Sequence, residues 1–265
     1  MSLSTGNLEY SLGALPVIGK GFSWTDQELD NALSGPVAEV VFDDAGNLDL
    51  QALLSSVPET EFDQTAVRGI LTNTKKPENW RVGEALAESY LAHKYDCYFP
   101  WPDGRDERRS GSSLPGADLV GFQRRGDEER FAFGEIKTSS DENHPPKVMY
   151  GPMGLKQQLE DLRNKPSLRD DLVKYLGHRA VYSPWKIRYK NAASRYLKNS
   201  YDVRVYGVLI RDVSPHENDL KVRVSKLVED CPEQMNMELL AIYLPVGSIS
   251  TLSSKVIRSR NGGEA

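Results

Sequence analysis

The segment that most constrains the fold is residues 131–139, which read Phe-Ala-Phe-Gly-Glu-Ile-Lys-Thr-Ser. Side chains alternate between the two faces of a β-strand. Phe131 and Phe133 therefore share one face and can anchor the strand in a core. Glu135 and Lys137 continue that face at the end of the strand, about 7 Å apart along the chain. A carboxylate placed there can bind a hard divalent cation, and an ammonium can orient a water or stabilise charge on a phosphate.

A second acid precedes this strand. Residues 113–122 contain a turn and then a short apolar strand that carries Asp118. Residues 123–130 are polar and include a Gly-Asp turn signal, so the two strands are predicted to form an antiparallel hairpin. Asp118 then lies beside Glu135, and two carboxylates this close repel each other unless a cation lies between them. The alternative is a surface ion-pair cluster on a protein-interaction scaffold.

An acid followed across a hairpin by Glu-x-Lys resembles the signature of the PD-(D/E)xK nuclease superfamily, which has the restriction-endonuclease-like fold. Here Gly-Ala precedes Asp118, and Pro115 lies three positions back instead of directly before the acid. The resemblance implies an α/β (α+β) chain with a central mixed sheet flanked by helices. It implies that Asp118 and Glu135 bind Mg²⁺ or Mn²⁺, joined by the main-chain carbonyl of Ile136. Lys137 would orient the attacking water.

A helix is predicted at residues 81–92, where apolar residues recur at helical spacing. Glu84 and Glu88 lie four residues apart on one face of this helix. A glutamate at such a position is ordinarily solvated. In the superfamily, however, the first core helix often carries a glutamate that completes the metal site. The resemblance favours Glu84 in that role, and Glu88 stays as the alternative.

Two later helices carry the residues predicted to contact nucleic acid. In the superfamily, the helix after Glu-x-Lys often turns a glutamine and a lysine toward the site, and Lys156 with Gln157 or Gln158 fits that role in the helix predicted at 154–162. The segment 185–198 has five cations, no acids and interleaved aromatic residues, a pattern that indicates backbone contact. A helix that packs its aromatic residues inward explains the pattern as well. The cations predicted to contact nucleic acid are Lys186, Arg188, Lys190 and Arg195.

Residues 1–76 show mixed patterns without recognisable chemistry, so we expect a small α/β appendage that supports the core or contacts a partner. Residues 77–265 are predicted to form the nuclease core. Within the first part, helices are predicted at 23–33 and 48–57, and a short strand at 37–42. The later predictions are strands at 203–211, 220–228 and 237–245, and a final helix at 248–257.

Composition narrows the class of protein. The chain is 39% hydrophobic and 27% charged, as in ordinary soluble globular proteins. It has no apolar run near the roughly 18 residues that a membrane span needs, and its first residues do not resemble a secretory signal. Cys97 and Cys231 offer no disulfide framework or zinc spacing, so we expect free thiols in a reducing cytoplasm. A net charge of −5 argues against a strong DNA binder that acts alone. It favours a local basic surface, or a partner that delivers the nucleic acid.

A wider resemblance covers roughly residues 77–257. Short stretches occur there in the same order as in the HamA family, the nuclease subunits of Hachiman-type bacterial antiphage systems. These stretches are Gly83-Glu84, 114–118, 133–139, a Gln-Leu helix, 206–211 and 241–245. The resemblance implies a deoxyribonuclease, with endonuclease action expected, and a HamB-like helicase partner. The choices between DNA and RNA and between endonuclease and exonuclease action stay open. The alternative is a catalytically inactive nuclease fold that binds DNA or scaffolds a helicase.

Overall fold

The computed structural model describes residues 3–57, 60–71, 76–102, 105 and 116–261. Over these ranges the chain forms a mixed seven-stranded sheet with hydrophobic clusters on both faces. The strands are β1 Asn7–Ala14, β2 Val17–Ser23, β3 Cys97–Tyr98, β4 Leu119–Arg125, β5 Glu128–Ser139, β6 Arg204–Arg211 and β7 Asn236–Tyr243. The helices are α1 Asp26–Leu33, α2 Pro36–Phe42, α3 Asp44–Ser55, α4 Glu61–Leu71, α5 Asn79–Tyr95, α6 Leu155–Asn164, α7 Pro166–Ala180, α8 Lys186–Lys198, α9 Lys221–Val228 and α10 Leu252–Arg260.

The strands follow the order β1-β2-β7-β6-β5-β4-β3. Strands β2, β7, β6 and β5 run parallel, and antiparallel pairs extend the sheet at both ends. The predicted hairpin is confirmed, because β4 pairs with β5 from Leu119↔Gly134 to Arg125↔Glu128. Gly126 has a φ of 60° in the connecting turn, a conformation that glycine adopts without steric cost. The carboxyl ends of the parallel strands meet at one edge of the sheet.

The predicted alternation along β5 is confirmed. Phe131 and Phe133 belong to the hydrophobic cluster that includes buried residues of α6, α7 and α8. Ala132 and Ile136 belong to the cluster on the other face, which includes buried residues of α5. Helices therefore cover this strand on both sides, and its polar end is held on a rigid scaffold.

The N-terminal segment contributes directly to the sheet. Strand β2 lies between β1 and β7 and pairs with β7 over seven residues, from Val17↔Met237 to Ser23↔Tyr243. Buried residues of α1 and α2 share the hydrophobic cluster of α5. Residues 7–42 thus belong to the same core as the later strands, although we expected residues 1–76 to form an appendage. How the chain divides into independently folding units stays a prediction.

Two predicted strands are helices. The segment 37–42 is in α2, because Pro36 occupies a first-turn position that suits proline and α2 packs against α5. The segment 220–228 is almost all in α9. Its buried apolar residues are Leu220, Val224 and Leu227, and their spacing of four and three residues is helical. In both segments the β-branched valines suggested a strand, and tertiary packing overrode that preference.

Most of the other predicted elements are confirmed. Helices 23–33, 48–57, 81–92 and 154–162 correspond to α1, α3, α5 and α6, and strands 203–211 and 237–245 correspond to β6 and β7. The final helix is present as a 3-10 turn, Ser248–Thr251, followed by α10. The hairpin β1–β2 and helices α4 and α7 were not predicted. None of the helices in the described part of the chain is long and apolar enough to cross a bilayer.

Candidate active site

Three of the predicted site residues lie together at the end of β5. Glu135 and Lys137 are on this strand, and Asp118 directly precedes β4. The Lys137 ammonium lies 3.7 Å from Glu135 Oε2 and 3.9 Å from Asp118 Oδ2. The hairpin register causes this convergence, because the last residue pair of β4 and β5 places Leu119 opposite Gly134.

The Asp118 carboxylate is fixed to the backbone of β5. The main-chain N–H of Ile136 donates a hydrogen bond of 2.7 Å to Asp118 Oδ2. The N–H and C=O of one strand residue point to the same side of the strand. The carbonyl of Ile136 therefore also points to the side of β5 on which Asp118 lies. That side presents a carboxylate and a carbonyl oxygen, which are the donor types that hard divalent cations prefer.

Glu135 is the most enclosed of these acids. Its residue surface is only 2% exposed, and its Oε2 atom is buried without a hydrogen-bond partner among the described residues. Burial, and then the negative charge of Asp118, raise the pKa of Glu135 to about 9, against the opposing effect of Lys137. Two carboxyl groups, Asp118 and Glu135, thus lie beside a single ammonium, that of Lys137. A bound cation would reduce the repulsion between the two carboxylates.

Helix α5 brings Glu84 to the same region. A Cβ atom at Gly83 would lie only 2.2 Å from Thr138 Oγ1, so the helix backbone packs very closely against β5. The negative charge of Glu84 also raises the pKa of Glu135, by less than burial and the charge of Asp118 do. Arg81 donates to Glu84 Oε2 over 3.2 Å. Arg81 was not anticipated from the sequence, although residues three apart are neighbours on a helix.

A small cavity of about 40 Å³ adjoins the site. Its polar lining comes from Asp118 and from Arg81, Glu84 and Glu88 of α5. A volume of this size has room for about one water molecule. Glu88 is thus near the site as well, but it does not appear among the charges that raise the pKa of Glu135, whereas Glu84 does.

The oxygen atoms available to a metal are the carboxylate oxygens of Asp118 and Glu135 and the carbonyl oxygen of Ile136. The carboxylate of Glu84 lines the adjoining cavity. No group of three or more His, Cys, Asp or Glu side chains in the described ranges is arranged so that it could hold a metal ion. The protein side chains alone therefore do not form a closed cage. Mg²⁺ does not require one, because it keeps several waters and commonly uses one or two carboxylates with substrate phosphates.

On α6, the two residues predicted to contact nucleic acid, Lys156 and Gln157, bind acidic side chains of the same helix. Lys156 lies 3.7 Å from Glu160 Oε1, and Gln157 donates to Asp161 Oδ1 over 2.8 Å. The neighbouring glutamine, Gln158, differs because its Oε1 atom is buried without a partner among the described residues. Gln158 is therefore the stronger of the two glutamine candidates. Nucleic-acid contact by Lys156 and Gln157 stays a prediction.

The basic helix α8 packs its aromatic residues inward. Tyr189 and Tyr196 contact Phe131 with ring centroids 5.6 and 5.8 Å apart, so they are not available to stack on bases. Arg188 pairs with Glu129 at 2.9 Å. Along β5, Phe131 lies about 13 Å and Glu129 about 20 Å from Glu135.

The four cations predicted on α8 fall into two groups. Arg195 pairs with Asp202 and Glu128 at 2.8 and 2.9 Å, so it resembles Arg188 in being neutralised by neighbouring acids. Lys186 and Lys190 are exposed, and neither forms an ion pair within the described part of the chain. Nucleic-acid contact by this helix stays a prediction, with the two lysines as its best remaining candidates.

The chain matches no model of a known protein family and no curated protein. The geometry of the site and the motifs in the sequence therefore carry the functional conclusion.

Proposed function

We propose that the chain is a metal-dependent nuclease with a PD-(D/E)xK-type site on a restriction-endonuclease-like core. The carrying observation is the convergence of Asp118, Glu135 and Lys137, with the ammonium within 3.9 Å of both carboxylates. Burial of Glu135 and the backbone hydrogen bond to Asp118 support the proposal, since both hold the acids in place before substrate arrives.

The residues present fit a divalent cation, Mg²⁺ or Mn²⁺. The buried Oε2 atom of Glu135 accepts no hydrogen bond from the described residues, and a cation between Glu135 and Asp118 would remove the repulsion between them. Asp118, Glu135 and the carbonyl of Ile136 would hold it, with Glu84 direct or through water. When bound, such an ion supplies Lewis-acid stabilisation of phosphate charge and lowers the pKa of a bound water.

Lys137 has the role of positioning the nucleophile. Its side chain is 20% exposed, so the ammonium can reach a water or a phosphate oxygen while staying beside the two acids. Asp118 accepts the Ile136 N–H, which limits its rotation and fixes the distance between the acid and the amine. Gly83 allows close packing of α5 on β5 and so sets the position of Glu84.

The substrate and partner follow from the resemblance to the HamA family. We assign DNA as the substrate and a HamB-like helicase as the partner, in a bacterial antiphage complex. The net charge of −5 fits a subunit that receives DNA from another protein. The pairing of Arg188 and Arg195 with nearby acids points the same way, since it leaves the chain with less basic surface of its own.

The test is cleavage of plasmid and linear DNA with Mg²⁺ or Mn²⁺, with and without the helicase. Lys137→Ala and the double variant Glu135→Ala/Lys137→Ala should fold and fail to cut. A matched control removes the exposed surface pair Lys226 and Glu229, which lie 2.9 Å apart, and it should cut like the unmodified protein. Cleavage by Lys137→Ala at the unmodified rate would remove the assignment. Folded protein that never cuts would favour the inactive, DNA-binding or scaffolding alternative.

A further inference from the structure

A second cleft lies at the other end of α5 from Glu84. It has a volume of about 650 Å³ and is lined by the last turn of α5, by β4, and by the first residues of β6 and β7. Lys94 is on its helical wall, ten residues after Glu84, or about 15 Å along the helix. The cleft is therefore distinct from the nuclease site, and what it binds does not depend on the proposed function.

The charges of the cleft favour an anion. Four cations line it, namely Lys94, Arg124, Arg125 and Arg204, against two carboxylates. One of these carboxylates, Glu238, is already occupied, because Lys20 lies 2.8 Å from its Oε1 atom and the Tyr95 hydroxyl donates to the same atom over 2.5 Å. The unbalanced charge of the lining is thus positive.

Arg204 is the most enclosed of the four cations. Its surface is 9% exposed, and within the described residues its guanidinium has one hydrogen-bond acceptor, the carbonyl of the adjoining Val203 at 3.0 Å. A guanidinium has five N–H donors. Burial, with the positive charges of Arg130 and Arg125, lowers the pKa of Arg204.

The nearest acid does not resolve this shortage. The charge of Asp202 opposes the lowering of the Arg204 pKa but does not cancel it. The two carboxylate oxygens of Asp202 already accept hydrogen bonds from Arg130 and Arg195, at 2.6 and 2.8 Å. The strand register brings Arg130 and Arg204 close together on one face of the sheet. Arg130 on β5 is directly opposite Gln123 on β4, and Arg204 on β6 is directly opposite Ala132 on β5. Arg130 and Arg204 are thus diagonal neighbours on adjacent strands.

The volume and lining of the cleft indicate the class of ligand. A volume of about 650 Å³ lies within the usual range of small-molecule sites. Leu15 and Ile18 give it an apolar wall, which can contact a planar base. Because Arg204 is 9% exposed, we expect a small terminal phosphate to reach it more easily than the backbone phosphate of a duplex.

We propose that this cleft binds a phosphorylated small molecule of nucleotide size, with its phosphate at Arg204 and Arg125. Arginine suits this role, because its planar fork donates two parallel hydrogen bonds to a phosphate. Lys94 adds a further charge at the rim.

The test is isothermal titration of the full chain, carrying Lys137→Ala and without divalent metal, using ATP and inorganic pyrophosphate as probes. We expect saturable binding that Arg125→Gln and Arg204→Gln each weaken about tenfold. The control is Arg258→Gln, which removes an exposed arginine of α10 and should bind normally. If Arg204→Gln does not fold, Arg125→Gln decides alone.

Three outcomes would overturn the proposal. The first is the lack of saturable binding by either probe at millimolar concentration. The second is equal weakening in Arg258→Gln, which would indicate non-specific charge attraction. The third is tight binding of a DNA oligonucleotide that depends on Arg204 in the same way, which would make the cleft a nucleic-acid surface. Because metal and Lys137 are absent from the assay, failure of the nuclease proposal leaves this result unaffected.

Discussion

Gly83 provides the sharpest test of how α5 is held on the sheet. In Gly83→Ala the new Cβ atom would lie 2.2 Å from Oγ1 and 3.4 Å from Cγ2 of Thr138. Thr138 is β-branched and lies on a strand, so its side chain has few rotamers with which to move away. A contact of 2.2 Å lies in the upper part of the range for overpacking, about 2–3 kcal/mol, and the better helix propensity of alanine returns about 1 kcal/mol. We expect a net loss of about 1–2 kcal/mol in the free energy of unfolding.

A double-mutant cycle separates this clash from other effects. Thr138→Ala removes Oγ1 and Cγ2 and leaves a Cβ atom at 3.3 Å from the position of the new methyl group. In that background only the helix propensity of alanine remains, so Gly83→Ala should stabilise the protein by up to about 1 kcal/mol. The coupling energy is then the overpacking cost itself, about 2–3 kcal/mol. Urea unfolding gives each value. Thermal midpoints should shift by about 2–4 °C per kcal/mol.

Gly69 supplies the matched control. It lies on α4, and nothing lies within 4 Å of the position that a Cβ atom would take there. Gly69→Ala should therefore stabilise the protein by up to about 1 kcal/mol. The close-packing argument fails if Gly83→Ala is as stable as the unmodified protein, or if its loss is the same with and without Thr138→Ala.

Three further predictions concern polar groups and thiols. Main-chain N–H groups of its loop lower the pKa of Asp141 from 3.8 to about 2, so the ionised carboxylate stabilises the loop above pH 3.8, and this contribution is lost as the pH falls toward 2. Asp141→Asn should therefore speed amide exchange of residues 140–149 at pH 7 and have little effect near pH 2. Equal effects at the two pH values would refute the prediction. Arg211 and Asp219 form an ion pair with no exposed side-chain surface, so Arg211→Met should cost about 3–5 kcal/mol in urea unfolding, and a loss below about 1 kcal/mol would contradict this. Burial raises the pKa of Cys97 to about 12 and of Cys231 to about 11, so neither thiol should react readily with iodoacetamide at pH 8 until the protein unfolds; rapid labelling of folded protein would show that they are accessible.

The candidate site was predictable because its determinants are local. Phe131 and Phe133 alternate with small residues, a Gly-Asp turn separates the two strands, and the resulting register alone brings Asp118 to Glu135. These features depend on strand period and turn chemistry, which can be read from neighbouring residues. The burial of Glu135 was not predicted, since Lys137 shares its face of the strand and is 20% exposed.

The errors occurred where distant contacts decide the structure. The valines of segment 37–42 favour a strand locally, but packing against α5 keeps the segment helical. The pairing of β2 with β7 joins Val17 to Met237, and no local pattern indicates such a partner. The same limit applied to Arg188, because its pairing with Glu129 depends on how α8 lies across the sheet.

The position of β2 beside β7 has a consequence for how the protein is made. Each of the seven residue pairs between them joins the beginning of the chain to a segment more than two hundred positions later. During synthesis, β2 therefore has no parallel neighbour until residues 236–243 have left the ribosome. Pairings across such sequence separations form slowly and leave strand edges open to aggregation in the meantime. Because β7 also borders β6, the edge of β6 stays unpaired until β7 has been synthesised, and the sheet that supports the acid and lysine cluster is incomplete until then.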